Sequence, residues 1–232
     1  MRFAVLGSGS QGNGTLIASG DTFILVDCGF SLRETERRLA LLGVSVAQLS
    51  AVLVTHEHAD HVHGVGLLSR RYNVPVYLSQ GTLRGMRKPV EVAGFLACGQ
   101  SLRVGSLEVT AARVEHDAYE PLQYVVSDGQ RRFGMLTDLG SYDALLLERY
   151  QGLDALLIEA NHCRDLLARG HYPAFLKQRV GGMQGHLNNH QAARLVHELG
   201  WNNLQHLVLA HLSSKNNLPH LARQCFVDTP RV

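Results

Sequence analysis

Thr55-His56-Glu57-His58-Ala59-Asp60-His61 places three imidazoles and two carboxylates in seven consecutive positions. An apolar run, Ala51–Val54, comes just before it and reads as a buried strand. Val62–Tyr72 follows, with apolar residues at helical spacing. In a strand, His56 and His58 share one face, and Glu57 points the other way as a solvent-facing or hydrogen-bonding residue. A turn after His58 brings Asp60 and His61 round to the same point. Neutral imidazoles with a carboxylate form an N/O donor set that suits Zn, Mn or Fe and suits Ca poorly. A tetrahedral catalytic metal keeps one position open for water, so four ligands in one loop exceed what one ion uses. Two divalent transition-metal ions are expected if later segments add ligands, with Zn first and Mn or Fe as alternatives.

Later segments do add them. His116 follows the apolar strand Leu107–Val114, Asp138 follows Arg132–Leu136, and His211 follows His206–Ala210. Asp27 ends Thr22–Val26 in the same manner. Each stands at or just past the C-terminal end of an expected strand, where α/β sheets commonly carry functional groups.

The remaining pattern gives a layered α/β chain. Strands are expected at Arg2–Leu6, Thr15–Ala18, Pro75–Leu78, Leu102–Val104, Leu122–Ser127 and Ala155–Ile158. Asp128-Gly129 reads as a hairpin turn. Helices are expected at Ser31–Leu42 (with Ser31 as its cap), Gln80–Met86, Tyr142–Tyr150 and Asn189–Leu199, and in a tail from Leu218. Ala192, Ala193, Val196 and Leu199 form an apolar stripe on the fourth of these. Strands cluster in both halves, which suggests two sheets covered by helices. No linker or low-complexity tract interrupts the chain, so one domain over 1–232 is the simplest reading.

The 232 residues carry 22 Lys/Arg against 20 Asp/Glu, and 45% are hydrophobic. That composition excludes disordered, collagenous and coiled-coil chains. The near-neutral charge gives no whole-molecule steering toward DNA or anionic lipid. No stretch reaches the roughly 20 apolar residues of a membrane-spanning helix. The N-terminus reaches Gly-Ser punctuation too early for a signal peptide. Cys28, Cys98, Cys163 and Cys225 are far apart and read as free thiols in a reducing cytoplasm. His63, His171, His190, His197, His206 and His220 fit no site and read as surface or capping residues, with His63 beside the ligand loop.

The order H-x-H-x-D-H, His, Asp, His resembles the dinuclear metal pattern of the metallo-β-lactamase-fold superfamily. The resemblance runs from Leu6-Gly7-Ser8-Gly9-Ser10 to Asn216-Asn217-Leu218-Pro219. Within it the chain looks like the YycJ/WalJ-like group of bacterial metallohydrolases. Gly9–Asn13, Glu115–Ala118, Glu159–His162, Gly185–Asn189 and Ala210–Asn217 carry that likeness. Cys163 stands where the group has Asp, and Asn188 where it has Ser. The resemblance implies a four-layer αββα sandwich: two mixed sheets packed together, with helices on both outer faces. It implies His56, His58 and His116 on one metal, Asp60, His61 and His211 on the other, and Asp138 bridging them. Asp27 is implied to orient a ligating ring by accepting its remaining N–H.

Two cations about 3.5–4 Å apart share a water, lower its pKa toward neutrality and yield a hydroxide nucleophile. The second site has no Cys, unlike true dizinc β-lactamases, and looks like that of phosphodiesterases, nucleases and glyoxalase II enzymes. Asp60, Asp138 and His186 are the residues expected in the catalytic step. Relatives place a non-ligand His in the interval held by His186, poised to protonate a leaving oxygen. His162, Asn13, Lys215 and Asn216 are candidate substrate contacts, with backbone amides of Gly7–Gly14. Arg70-Arg71, Arg87-Lys88 and Arg131-Arg132 follow a nucleic-acid backbone only if they face one groove. The expectation is a dinuclear metal-dependent phosphodiesterase or exonuclease acting on nucleic acid. A thioester or lactone hydrolase is the alternative, and a non-enzymatic binding module a weaker one, since every ligand position is filled.

Overall fold

A computed structural model describes residues 1–200 and 203–226. The architecture is α/β, with two mixed sheets of six strands each. By backbone contacts the chain forms two compact units. One comprises Met1–Arg113, Ala118–Leu122 and Val126–Gln130; the other comprises Val114–Asp117, Gln123–Val125 and Arg131–Val232.

In the first unit β1 (Arg2–Gly7), β2 (Gly14–Ser19) and β3 (Thr22–Val26) pair antiparallel. β4 (Ala51–Leu53), β5 (Val76–Leu78) and β6 (Gly94–Phe95) then add in parallel beyond β3. Leu25, Val52 and Val76 bury one face of this sheet with Leu39 and Leu68. Leu39 belongs to α1 (Leu32–Ala40), where the Ser31 hydroxyl accepts the Glu34 amide and caps the first turn. The apolar pattern extends that helix to Leu42, but it stops at Ala40. Leu41 and Leu42 are exposed, and Gly43 turns the chain at a φ of 71°.

The expected helix Val62–Tyr72 is two helices. α2 (Ala59–Val62) is a single turn that carries Asp60 and His61, α3 (Val65–Tyr72) follows, and α4 (Gln80–Gly85) comes after β5. Between them the Gly64 amide donates to the Cys28 carbonyl at 2.8 Å. A Cβ on Gly64 would lie 2.3 Å from the Phe30 carbonyl oxygen. This close approach draws the chain out of helical register.

The second sheet runs β12-β11-β10-β9-β8-β7. Its strands are β7 (Ser101–Val104), β8 (Leu107–Arg113), β9 (Leu122–Ser127), β10 (Arg132–Leu136), β11 (Ala155–Glu159) and β12 (His206–Ala210). In the second unit β10, β11 and β12 are parallel, so their C-terminal ends share one edge. Every residue of β11 is buried, including Glu159. This unit also holds α5 (Ala144–Arg149) and α8 (Asn189–Leu199). Asn188 caps α8 in a capping box with Gln191, the work a Ser would do there. The buried stripe of α8 is Ala192, Leu195 and Val196, and Ala193 is only half-buried. Two helices that no periodicity announced, α6 (Arg164–Arg169) and α7 (Ala174–Val180), precede it. α9 (Pro219–Gln224) closes the described chain.

Candidate metal centre

Asp27 is the hub of the first unit's site. Its Oδ1 accepts the Thr55 amide at 2.8 Å, and its Oδ2 accepts the Thr55 hydroxyl at 2.9 Å and the His61 Nδ1–H at 2.8 Å. The Thr55 hydroxyl has one proton, committed to that carboxylate, so at 3.0 Å it accepts from His56 Nδ1–H. His56 and His61 therefore carry their protons on Nδ1 and their lone pairs on Nε2. His56 Nε2 lies 3.0 Å from His58 Nδ1, and His61 Nε2 lies 3.6 Å from Asp60 Oδ2. Gly29 lets the neighbouring loop approach this closely, because a Cβ there would sit 1.6 Å from the Asp60 carbonyl oxygen.

Glu159 is the hub of the second unit's site, and sequence reasoning assigned it no role. Fully buried at the end of β11, it accepts the amides of Asp138 at 3.0 Å, Leu139 at 3.1 Å and Leu187 at 2.8 Å. Its Oε2 also lies 3.1 Å from His186 Nδ1 and 3.4 Å from His211 Nδ1. The signal was a carboxylate ending an otherwise apolar buried strand, since Glu is almost never buried unpaired. His211 Nε2 lies 3.5 Å from Asp138 Oδ1, and His116 Nε2 lies 4.0 Å from the same oxygen. The His116 Nδ1–H donates to the Gly185 carbonyl at 3.1 Å, which turns the Nε2 lone pair toward Asp138.

Asp27, Asp138 and His211 all have left-handed backbones, with φ of 61°, 57° and 51°. Such residues cost about 1–3 kcal/mol each and cluster at functional sites. Each comes directly or shortly after the last residue of a strand.

Burial works against the charge on Glu159, but the His186 charge and the hydrogen bonds from His186 and His211 outweigh it and hold the carboxyl at about 2. Burial likewise works against protonated His186; the charge and hydrogen bond of Glu159, with Asp138 and Asp117, lift it to about 9. Burial pushes His162 down to about 4, against the pull of Glu159.

These donor sets fit divalent transition ions. In the first unit, Nε2 lone pairs face another imidazole nitrogen and a carboxylate oxygen. In the second, Asp138, Glu159, His186 and His211 each offer a donor atom within 4.8 Å of the others. In the first set the Asn13 amide lies between His61 Nε2 and Asp60 Oδ2, a place a divalent cation would serve equally, and the imidazole–carboxylate mixture matches Zn, Mn or Fe.

The candidate substrate contacts fall in different places. Asn13 is buried, and its amide donates to His61 Nε2 at 2.9 Å and Asp60 Oδ2 at 3.1 Å, so it braces the ligand loop. Asn216 is buried in a turn with the Ser213 hydroxyl. Lys215 is exposed. His162 is buried beside Asn188, and its Nδ1 has no hydrogen-bond partner. Glu57 accepts the Tyr119 amide at 2.9 Å. The six histidines read as surface residues are all exposed, His63 included.

The profile of the family described as Beta-lactamase superfamily domain matches residues 22–212. The chain belongs to this family. Among its relatives, exodeoxyribonuclease YycJ of Bacillus anthracis is 34% identical over 228 residues, covering 96% of this chain and 86% of the relative. Exodeoxyribonuclease WalJ of Streptococcus pneumoniae is 32% identical over 235 residues, covering 98% and 87%. The crystal structure of the metallo-beta-lactamase fold protein YhfI from Bacillus subtilis superposes with a TM-score of 0.74 at 22% identity, covering 96% and 90%, and shares the fold. Membership of the beta-lactamase superfamily makes the chain a metal-dependent hydrolase.

Proposed function

We propose that this hydrolase is a phosphodiesterase of exonuclease type that acts on nucleic acid with two divalent ions, Zn first among Zn, Mn and Fe. In this reading the whole of 1–232 is one hydrolase domain. Following the family pattern, His56, His58 and His116 hold one ion, Asp60, His61 and His211 the other, and Asp138 is shared. When bound, such ions acidify a water and neutralise charge on a substrate oxygen.

The observation that carries the reading is His186. Its ring is partly exposed, its Nδ1 rests on buried Glu159, and it lies 3.8 Å from Asp138 Oδ1. Glu159 fixes the tautomer and favours the protonated ring, so Nε2 presents a proton. A departing sugar alkoxide needs that proton in the transition state. A thiolate, with a reference pKa of about 8.5, leaves without one. The imidazole acid therefore favours a phosphodiester over a thioester. The relatives named exodeoxyribonuclease support DNA as the polymer. No helix among the described residues is long and apolar enough to cross a membrane, and the four cysteines are free. Both agree with a cytoplasmic enzyme.

Assays with bis-(p-nitrophenyl) phosphate, a thioester and a cephalosporin separate the ester classes, and the phosphodiester is expected to turn over fastest. His186→Ala is expected to lower phosphodiester turnover by about 10²–10⁴-fold with metal content retained. Equal turnover by the variant and the parent would remove that role.

A further inference from the structure

The segment from Arg164 to Gln184 joins β11 to α8 and contains α6 and α7. It carries four Lys/Arg against one acid, whereas the other 211 residues carry 18 against 19. The net positive charge of the chain therefore resides in this excursion. Arg164 and Arg169 are exposed. Arg179 pairs with Asp117 at 2.5 Å and Lys177 donates to the Ala168 carbonyl at 2.7 Å, while outside the segment Arg131 pairs with Asp154 at 2.6 Å.

The excursion also exposes two large apolar side chains. α7 buries none of its residues, Phe175 is 72% exposed and Met183 is 76% exposed. A single exposed apolar residue is ordinary. An exposed ring on a segment that also carries the exposed cations Arg164 and Arg169 is the composition that grips single-stranded nucleic acid, with charges along the backbone and a face on which a base stacks.

The excursion is tied to the proposed proton donor. The His186 amide donates to the Val180 carbonyl at the end of α7, at 2.9 Å. A Cβ on Gly185 would lie 2.2 Å from the Arg179 carbonyl oxygen, so the chain between α7 and His186 is closely packed. Phe175 precedes Val180 by five residues, roughly 7–8 Å along a helix. A stacked strand advances about 3.4 Å per nucleotide, so this is a reach of about two nucleotides.

We propose that the α6–α7 excursion is a docking platform for the single-stranded part of the substrate, with Phe175 stacking on an unpaired base and Arg164 and Arg169 on flanking phosphates. The inference rests on the phosphodiesterase reading and adds that the substrate presents unpaired nucleotides beside the cleaved bond.

The test is fluorescence anisotropy of the metal-loaded protein with a labelled phosphorothioate oligothymidylate, single-stranded or paired with its complement. The parent is expected to bind the single strand more tightly. Phe175→Ala is expected to weaken that binding about tenfold, within the range of base–aromatic stacking. Arg164→Ala and Arg169→Ala are each expected to make the log–log salt dependence shallower by about 0.7. Leu145→Ala, which removes an exposed apolar residue of α5, serves as the control and keeps the parent's affinity. Parent-like binding by Phe175→Ala and both arginine variants overturns the platform, as does preference of the parent for the duplex. Hydrolysis of bis-(p-nitrophenyl) phosphate by the parent is measured alongside. Strand binding lost in the variants without any turnover by the parent supports the platform and sinks the phosphodiesterase reading. Turnover with unaltered binding does the reverse.

Discussion

In the first unit one carboxylate, Asp27, gathers one backbone amide, one hydroxyl and one imidazole. In the second, Glu159 gathers three backbone amides and two imidazoles. The candidate ligands served by Asp27 are neighbours of one another in sequence, so a short loop already holds them together. Asp138 and His211, served by Glu159, lie 73 residues apart, after the ends of different strands. A buried charge there does more of the organising, and its loss is felt over more backbone. Function in the first site leans on the local chain, and in the second on tertiary packing.

The largest effects are expected where the two sites are equal. His58→Ala, from the contiguous loop, and Asp138→Ala, from the scattered set, should each lose metal and lower phosphodiester turnover by about 10³-fold or more. Elemental analysis after dialysis checks this, and full stoichiometry in both variants overturns the ligand assignment. Next comes the contrast between the hubs. Glu159→Ala is expected to lower unfolding free energy by about 3–5 kcal/mol, because it strands buried amides and His186. Asp27→Ala is expected to cost about 1–3 kcal/mol. Urea denaturation of metal-depleted protein gives both values, and a larger loss for Asp27→Ala reverses the comparison.

A smaller effect sharpens the contiguous side alone. Gly29→Ala drives a methyl into the Asp60 carbonyl and is expected to cost about 1–3 kcal/mol. Amide exchange should quicken in the 55–64 loop and stay unchanged in β11, and uniform quickening counts against a local role. The smallest expected effect is chemical. Burial beside Asp27 pushes the Cys28 thiol up to about 11, although its contact with the Thr35 hydroxyl pulls the other way. A raised pKa keeps an acid protonated, so at about pH 8 only about one Cys28 in a thousand is thiolate. A thiol reagent should modify exposed Cys98 in the native protein and reach Cys28 only on unfolding. Early modification of Cys28 would show that the Asp27 loop opens readily.

Much of the fold was legible. β3, β9, β10, α8 and β12 have the expected bounds, because strands buried on both faces read as short apolar runs and a helix buried on one side writes its period into the chain. The break at His63-Gly64 was not, since it comes from a carbonyl of Phe30 that is distant in sequence. α6 and α7 were invisible for a different reason. α7 has no buried side, so it has no apolar stripe to read. The ligand candidates were legible because imidazoles and carboxylates clustered after apolar strands are uncommon outside metal sites. Asn13, expected as a substrate contact, gives its amide to Asp60 and His61, and no local pattern marks that bond.

The sequence alone determined the donor chemistry, the strands that carry it and the approximate place of each ligand, since these follow from residue type and covalent spacing. Only the tertiary structure decided which nitrogen of each ring holds its proton, that Glu159, given no role by the sequence, organises the second site, and that Phe175 stands exposed on a helix that buries none of its residues. Those outcomes depend on hydrogen bonds and burial between residues far apart along the chain, where spacing carries no information.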